Sequence, residues 1–582
     1  MSPGPAAVWF AVRVRGRGFD GVSLAVASAL LAAGCDEPVP SGMFITSAAD
    51  AAGREAGQVP GAWRIPEALP RVRSQLAVRM AEFAASLAQR RAERLVKLAA
   101  AGTQALASAA GRPAVFDVAG LRAELHKILA PLERSTDVSV HVRELASDDV
   151  LFDYRGDAPL NPASNHKLLT TSAALDLLGA EFRFETRALH HGDALYLIGE
   201  GDPTLDELAL RALAAEISAA PGTTGLQRIV VDDLVFSPRA LAPGFSDDGP
   251  GESFQAPSGA LSLEFNTVRV SVHAPRARPK PGQVARLEVE LYPPSTHLVI
   301  DDQATVGRGA LKIRTYAGME VDGQARTVVE LTGKLRAGSS LMVRRRVVDP
   351  GLFTGGALAV QLAGADGTPL PVTRGHAPAP EEQPRVLARR ESPPLRVVVG
   401  GALAWSNNFV AEQLLRTLGW RMTGSPGDWD NGAEVVQAYW ETLGLPPGAL
   451  VFENGSGFSQ RGRVTTSALV DLIAVAHRVQ GEEGLLSALP VAGTDGTLRA
   501  RLRRSGKRVR AKTGTMDGIS GLTGVITAED GVPLVAFSIL SNLRAGEASG
   551  PARKRVEDRV VMAVLKALDA WAVERQRVEA AR

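Results

Sequence analysis

Apolar residues recur at helical spacing near the start of the chain and predict a helix from Arg71 to about Ala110. Its apolar positions are Leu76, Met80, Phe83 and Leu87. Seven basic and two acidic residues lie between Arg71 and Lys97. The segment therefore fits either contact with an anionic membrane surface or a solvated spacer helix, and the spacer is favoured.

Further along, apolar periodicity and turn residues predict alternating helices and strands. A hairpin is predicted around Asp148-Asp149, and a helix that begins at Ser164 and ends at Gly179. Another helix is predicted from Ser406 to Leu418, ending at Gly419. The remaining predictions are helices Val118–Leu132 and Lys554–Trp571, strands Val138–Val142, Val150–Tyr154 and Leu534–Leu540, and a strand that contains Lys512.

Between about Phe182 and Leu395 the pattern changes to short alternating runs separated by Gly, Pro and Asp clusters. Examples are Arg228–Val231 and Val268–Val272. Alternation with a period of two is typical of strands. The region is therefore predicted to be a β-rich insertion.

The first residues have the pattern of an export signal. Three arginines precede an apolar run from Val22 to Leu31, and small residues then lead to Cys35. The run is too short for a confident membrane span. Small residues directly before a cysteine resemble a bacterial lipobox, which predicts lipidation of Cys35 and anchoring to a membrane outside the cytoplasm. The other interpretation is an ordinary signal peptide with a chance cysteine.

Composition narrows the classes of function. A chain of 582 residues exceeds one compact core, so several domains are expected. The 65 basic and 63 acidic residues leave a net charge of +2, so the whole chain is not predicted to bind nucleic acid. The single cysteine excludes intramolecular disulfides and zinc-finger or iron–sulfur spacing. No metal or cofactor is predicted.

Three short motifs carry the candidate chemistry. They are Ser164-Asn165-His166-Lys167, Ser406-Asn407-Asn408 and Lys512-Thr513-Gly514. Their order matches the acyl-serine machinery of penicillin-binding proteins and serine β-lactamases. The chain has only ten lysines against fifty-five arginines, yet two lysines occur in these motifs. Arginine does not deprotonate in proteins, whereas a buried lysine can act as a base.

Each motif residue has a predicted role. Ser164 is the candidate nucleophile, and Lys167, one turn along the helix, is its candidate base. Lys512 can lower the pKa of Lys167 as a second cation. Ser406 can relay a proton to the leaving nitrogen, and Asn408 can hydrogen-bond a substrate amide. The strand Thr513-Gly514-Thr515 can bind a substrate carboxylate and pair with a peptide, and the amides of Ser164 and Thr515 would form the oxyanion hole.

Other uses of these residues are less favoured. No Gly-x-Ser-x-Gly elbow frames a serine, and Gly455-Ser456-Gly457 does not fit that pattern, which argues against a Ser-His-Asp triad. His166 points away from Ser164 on the predicted helix and is interpreted as non-catalytic.

Together these motifs resemble the D-alanyl-D-alanine carboxypeptidase/endopeptidases, the low-molecular-mass class C penicillin-binding proteins. The resemblance covers roughly Phe116 to Ala570. It also rests on Gly199–Leu205, Ser392–Leu395, Phe409–Glu412, Asn454–Gly457 and Asp495–Leu498. The 238 residues between Lys167 and Ser406 are similar to this family's large insertion.

The resemblance implies an α/β (α+β) serine β-lactamase/transpeptidase-like domain with a large β-rich insertion. The predicted boundaries are 1–34 for the signal, 35–115 for the tether and basic helix, 116–181 plus 396–582 for the peptidase domain, and 182–395 for the insertion. Asn454 and Ala404 depart from the family's pattern, in which Asp and a basic residue are common.

The implied activity is cleavage of the D-Ala-D-Ala terminus of peptidoglycan stem peptides, with some members also cleaving cross-links. The implied partners are peptidoglycan peptides and β-lactam antibiotics. The alternatives are a serine β-lactamase or esterase with the same motifs, and a non-enzymatic penicillin sensor, which the intact motifs argue against.

Overall fold

The computed structural model describes residues 75–90, 117–223, 225–276, 285–321, 323–363, 367–481, 484–544 and 550–580. All of them belong to a unit from Ala68 to Arg582. The predicted signal, Cys35, the tether and both ends of the basic helix lie outside the described residues. Within the described ranges, no helix is both long and apolar enough to cross a membrane.

A five-stranded antiparallel sheet forms the centre of the peptidase region. Its strands are β1 (Thr136–Glu144), β2 (Val150–Tyr154), β17 (Val509–Met516), β18 (Ile519–Thr527) and β19 (Pro533–Leu543). They lie in the order β17-β18-β19-β1-β2. The hairpin predicted around Asp148-Asp149 joins β1 and β2. All nine residues of β18 are buried, because helices cover both faces of the sheet.

One face of this sheet packs against α2 (Val118–Leu129) and α11 (Gly550–Ala580) through one apolar cluster. The other face packs against a second cluster built from the remaining helices of the peptidase region. Those helices are α3 (Lys167–Leu177), α6 (Leu395–Trp405), α7 (Asn408–Thr423), α8 (Trp429–Thr442), α9 (Thr466–Val479) and α10 (Leu485–Ala488). A short hairpin pairs β15 (Leu450–Val451) with β16 (Arg463–Val464).

The 182–395 segment has its own apolar core and three sheets, with two helices, α4 (Glu207–Ala219) and α5 (Pro350–Ala363). The first sheet has the order β13-β5-β4-β3-β14, with strands Val372–Arg374, Arg228–Asp232, Ala194–Gly199, Glu185–His191 and Arg385–Glu391. The second is β12-β6-β7, with Ser340–Arg346, Thr267–His273 and Glu288–Tyr292. The third combines β10 (Leu311–Val321), β11 (Gln324–Leu335), β8 (Leu298–Asp302) and β9 (Thr305–Val306).

The helix predicted to begin at Ser406 is wrong in its start and its end. Ser406 ends α6 in a left-handed conformation with φ 56°, and Asn407 then caps α7, its side chain accepting from Val410 N. The helix continues past Gly419, where the missing side chain allows close contact with α8, and ends at Gly424. Ser406 therefore lies on a tight turn between two helices.

Residues 75–90 form a helix, α1, that is not a solvated spacer. Its four predicted apolar positions are buried in the core of the peptidase region. The Phe83 ring lies 5.5 Å from the Tyr439 ring, and Arg90 Nη1 donates to Asp176 Oδ1 at 3.1 Å. Apolar burial on one face is what its helical spacing dictates. The helix is thus part of the folded peptidase region.

Candidate active site

Ser164 and Lys167 lie where a short 3-10 turn, Ala163–His166, meets the start of α3. The Lys167 ammonium donates to Ser164 Oγ at 3.0 Å, to Asn408 Oδ1 at 2.7 Å and to the Ser456 carbonyl at 2.8 Å. An ammonium has three N–H donors, so these acceptors satisfy all of them. The amine is therefore held against the serine hydroxyl.

The surroundings of Lys167 favour its neutral form. Burial lowers the pKa of Lys167 from 10.5 to about 7, and the nearby carboxylate of Glu412 opposes that shift. Burial also lowers the pKa of Lys512 well below its usual value, with the charge of Lys167 as a second cause. Near neutral pH Lys167 can take up a proton from Ser164.

Ser406 and Lys512 form a second serine–lysine pair. Lys512 Nζ donates to Ser406 Oγ at 2.8 Å and to the Thr513 carbonyl at 2.6 Å. The Oγ1 atoms of Thr513 and Thr497 lie 2.8 Å apart. This places hydroxyl and ammonium donors along one strand, as an anionic substrate group requires.

The outer edge of β17 is covered only over its first part. Ala492 N donates to the Val509 carbonyl at 2.9 Å and Ala511 N donates to the Pro490 carbonyl at 3.1 Å. Backbone groups of a strand alternate between its two edges, so those of Thr513 and Thr515 also face outward. No described strand covers them, because β17 is the end of its sheet. An extended peptide can therefore pair there.

Gly514 allows the strand to touch the turn that carries Ser164. A Cβ atom at this position would lie 2.4 Å from the Pro162 carbonyl oxygen and 2.6 Å from Asn165 Nδ2. Any other residue would push the 3-10 turn away from β17. The glycine thus allows close contact between the turn that carries Ser164 and the open edge of β17.

The match to known proteins agrees with this geometry. The model of the D-Ala-D-Ala carboxypeptidase 3 (S13) family matches residues 121–564, more than half of the chain. The chain belongs to this family. The predicted family, fold class and enzyme class are therefore confirmed, and the protein is a hydrolase of the D-Ala-D-Ala carboxypeptidase kind.

The matches to individual relatives extend over most of each relative's length. The D-alanyl-D-alanine carboxypeptidase of Actinomadura sp. is 31% identical over 480 residues, covering 77% of this chain and 86% of the relative. The D-alanyl-D-alanine carboxypeptidase DacB of Haemophilus influenzae is 21% identical over 443 residues, covering 72% of this chain and 88% of the relative. The crystal structure of penicillin binding protein 4 from H. influenzae superposes with a TM-score of 0.63 at 22% identity, covering 76% and 99%, and shows the same fold.

Glu412 lies beside the candidate site of this S13 chain, although no role was predicted for it from the sequence. Its buried carboxylate accepts from Gly455 N and Ser456 N, both at 2.9 Å, and from Trp429 Nε1 at 2.8 Å. It thereby holds the loop whose Ser456 carbonyl accepts from Lys167. Its position four residues after Asn408 on α7 was a usable signal.

Asn454, where the family often has aspartate, is well accommodated. Its Nδ2 donates to the Pro243 carbonyl at 2.7 Å and to the Phe458 carbonyl at 3.1 Å, while Oδ1 accepts from Gly457 N at 2.8 Å. An aspartate could not donate to those carbonyls. The amide thus links the site loop to the 182–395 insertion.

The insertion also reaches the site directly. Asn408 Nδ2 donates to the Phe254 carbonyl at 2.9 Å. The Phe254 ring makes an edge contact with Phe458, at 5.4 Å between centroids. Nothing in the sequence pattern indicated this contact, because it joins segments more than 150 residues apart.

The structure therefore brings together Ser164, Lys167, Ser406, Asn408 and the strand from Lys512 to Thr515. His166 lies elsewhere: its buried ring is 5.6 Å from the Phe452 ring, and burial lowers its pKa to about 4. Cys35 is outside the described residues.

Proposed function

We propose that Ser164 is the nucleophile of a D-Ala-D-Ala carboxypeptidase reaction on peptidoglycan stem peptides, with Lys167 as its base. The observation that carries the proposal is the Lys167 amine, which is buried and lies 3.0 Å from Ser164 Oγ. The neutral amine takes the hydroxyl proton while Oγ attacks the carbonyl of the penultimate D-Ala.

The tetrahedral intermediate needs donors at its oxygen. The N–H groups of Ser164, at a helix start, and of Thr515, at the open edge of β17, supply them. Lys512, Thr513 and Thr497 bind the terminal carboxylate of the substrate. Pairing of the peptide with Thr513 and Thr515 fixes which carbonyl faces Ser164.

Ser406 delivers the proton that the leaving amine needs. When the C–N bond breaks, the nitrogen of the terminal D-Ala takes a proton from the Ser406 hydroxyl, which Lys512 replaces. The proton that Lys167 took from Ser164 passes on to Lys512, so Lys167 is neutral again. The acyl-serine then reacts with water, whose proton Lys167 accepts and returns to Ser164 Oγ as the ester bond breaks. The products are free D-Ala and a stem peptide shortened by one residue.

Turnover of a peptide ending in D-Ala-D-Ala tests the proposal. Ser164→Ala is expected to lower kcat/KM by about 10³-fold or more, since no other group forms the acyl-enzyme. Mass spectrometry should show the wild type, but not the variant, gaining one substrate acyl group. Full activity of Ser164→Ala would refute this mechanism.

The same chemistry makes Ser164 a target for β-lactams, whose amide is opened by a serine nucleophile. The structure of a H. influenzae relative with the same fold is described as complexed with a β-lactam. We expect one stable penicilloyl group per chain. Rapid hydrolysis of penicillin would instead favour the β-lactamase alternative.

Cleavage of cross-links is a second use of the same site. The edge at Thr513 and Thr515 is open, so it does not exclude a longer leaving group. Digestion of purified peptidoglycan followed by mass analysis separates the two activities: loss of one D-Ala indicates a carboxypeptidase, and conversion of dimers to monomers an endopeptidase.

We infer export from the sequence pattern and from a family that acts on the bacterial cell wall, and lipid anchoring at Cys35 from the sequence pattern alone. The periplasmic or other extracytoplasmic location follows from that substrate. Cys35→Ala is expected to move the protein from the membrane to the soluble fraction. A variant that stays membrane-bound would exclude the lipid as the anchor.

A further inference from the structure

One end of the 182–395 insertion presents a group of exposed cations, here named the cationic tip. Its four segments, 274–276, 285–286, 305–312 and 332–338, contain no Asp or Glu. Its exposed cations are Arg276, Arg286, Arg308, Lys312, Lys334 and Arg336. The chain as a whole carries a net charge of only +2, so this grouping is local.

Backbone hydrogen bonds join the four segments into one surface. Gly338 N donates to the Ala274 carbonyl at 2.9 Å, and Val306 N to the Ala285 carbonyl at 3.1 Å. Gly307 N donates to the Leu335 carbonyl at 2.8 Å. These bonds connect each segment to a neighbour, so the cations share one end of the second and third sheets.

The tip cations differ from the other cations of the insertion in their ion pairing. Elsewhere in the same insertion arginines form ion pairs, such as Arg314 with Glu330 and Arg374 with Asp233. Within the described residues, the six tip cations make neither an ion pair nor a side-chain hydrogen bond. Like charges gathered without counter-charges repel one another, so the tip is suited to an external anion.

Strand β12 connects the tip to the part of the insertion that contacts the candidate site. Strand β12 runs from Ser340 beside the tip to Arg346, whose guanidinium donates to the Ser246 and Gln255 carbonyls. Gln255 follows Phe254, whose carbonyl accepts from Asn408. A seven-residue strand spans about 20 Å. A ligand on the tip is therefore within reach of a polymer held at the site.

We propose that the cationic tip is a second binding surface for the peptidoglycan polymer, through the carboxylates of its stem peptides. This inference rests on the proposed function. Every uncut stem ending in D-Ala-D-Ala carries a terminal carboxylate, so the polymer is a repeating anion. A stem in the site raises the local concentration of its neighbours at the tip. The surface binds polymer without affecting the chemistry at Ser164.

The test compares two variants with the same loss of charge. R308Q/K312Q/K334Q/R336Q removes four of the six tip charges. K127Q/R555Q/R559Q/K566Q removes four exposed charges on α2 and α11 that form no ion pair within the described residues. Binding to insoluble purified peptidoglycan is measured by co-sedimentation at low and high salt. Hydrolysis of a short soluble D-Ala-D-Ala peptide is measured in parallel, and melting curves check folding.

We expect the tip variant to bind peptidoglycan about tenfold more weakly at low salt, since each exposed charge pair contributes a few-fold and is screened by salt. Its turnover of the short peptide should match the wild type, and the control variant should bind normally. K312R/K334R should retain binding, because the charges remain.

Two results with peptidoglycan would overturn the inference: unchanged binding by the tip variant, or an equal loss of binding in the control variant. Co-sedimentation with vesicles of anionic phospholipid gives a third. The inference fails if the tip variant loses binding to the vesicles but not to peptidoglycan. Hydrolysis of the short peptide tests the proposed function independently of the tip. If the wild type does not hydrolyse the short peptide, that function fails, whereas co-sedimentation still reports on the tip.

Discussion

At the scale of single residues, the site depends on two lysines whose charges are withdrawn from water. Lys167 and Lys512 are fully buried, and each donates to a serine hydroxyl. Burial disfavours the charged form of both lysines, and for Lys512 the charge of Lys167 adds to this effect. An arginine would stay charged in the same place. The rare use of lysine in this chain thus has a direct physical reason.

The pKa of Lys167 predicts the pH dependence of acylation. The amine can accept the Ser164 proton only when it is neutral, and its pKa lies at about 7. We expect kcat/KM for a D-Ala-D-Ala peptide to rise with pH through about 7 and to level off above it. Steady-state kinetics between pH 5 and 9 measure this. A rise centred near the ordinary lysine pKa of about 10.4 would contradict it.

Glu412 should shift that profile in a predictable direction. Its carboxylate raises the pKa of Lys167, so Glu412→Gln removes a negative charge and lowers that pKa. We expect the acidic limb of kcat/KM to move to lower pH, together with a loss of about 1–3 kcal/mol in the free energy of unfolding from a broken buried hydrogen bond. pH profiles and thermal denaturation provide the two readouts.

Glu441→Gln is the matched control for this change. Glu441 is exposed on α8, and among the described bonds its carboxylate accepts only from Gln437 Nε2. It should leave both readouts unchanged. Loss of stability without a shift of the acidic limb in Glu412→Gln would mean that the carboxylate only supports the loop.

At the scale of elements, α1 extends the peptidase core beyond the region matched by the family model, which starts at residue 121. Phe83 packs on Tyr439, whose hydroxyl donates to Asp176 Oδ2 at 2.7 Å. Asp176 lies on α3, the helix that begins with Lys167. The α1 helix therefore supports α3, the helix that begins with Lys167.

Phe83→Ala should destabilise the protein by about 3–5 kcal/mol, because it removes a buried aromatic side chain and leaves a cavity. Val78→Ala, at an exposed position of the same helix, should have little effect. Chemical denaturation followed by fluorescence measures both. Equal stability of the two variants would show that α1 does not contribute to the core.

Element boundaries show what the sequence could and could not predict. Apolar periodicity located the β1–β2 hairpin, β19 and the buried face of α1, because one face of each packs on the core. The turn at Ser406 was missed although Asn407 is a favourable helix cap, because serine does not by itself indicate a left-handed conformation. Its left-handed conformation is imposed by the contacts of α6 and α7, and by Gly496, which closely approaches the Ala404 backbone.

At the scale of the whole molecule, the insertion is attached to α7, the helix that begins with Asn408, by buried polar contacts. Gln413 Nε2 donates to the Gly259 carbonyl at 2.8 Å and to the Gly201 carbonyl at 3.2 Å. The sequence predicted the β-rich character of residues 182–395, but it could not predict these bonds, which join segments far apart in the chain. The insertion thereby positions Asn408, five residues before Gln413 on α7.

Gln413→Ala tests whether the insertion contributes to catalysis. The change leaves the Gly201 and Gly259 carbonyls without their donor, so we expect a loss of about 2–4 kcal/mol in the free energy of unfolding. We also expect kcat to fall more than KM changes, since Asn408 and the amine of Lys167 would no longer be held together. Gln437→Ala removes a partly exposed amide on α8 and should leave both quantities unchanged. If Gln413→Ala lost stability but kept its kcat, the insertion would support α7 without setting the geometry at Ser164.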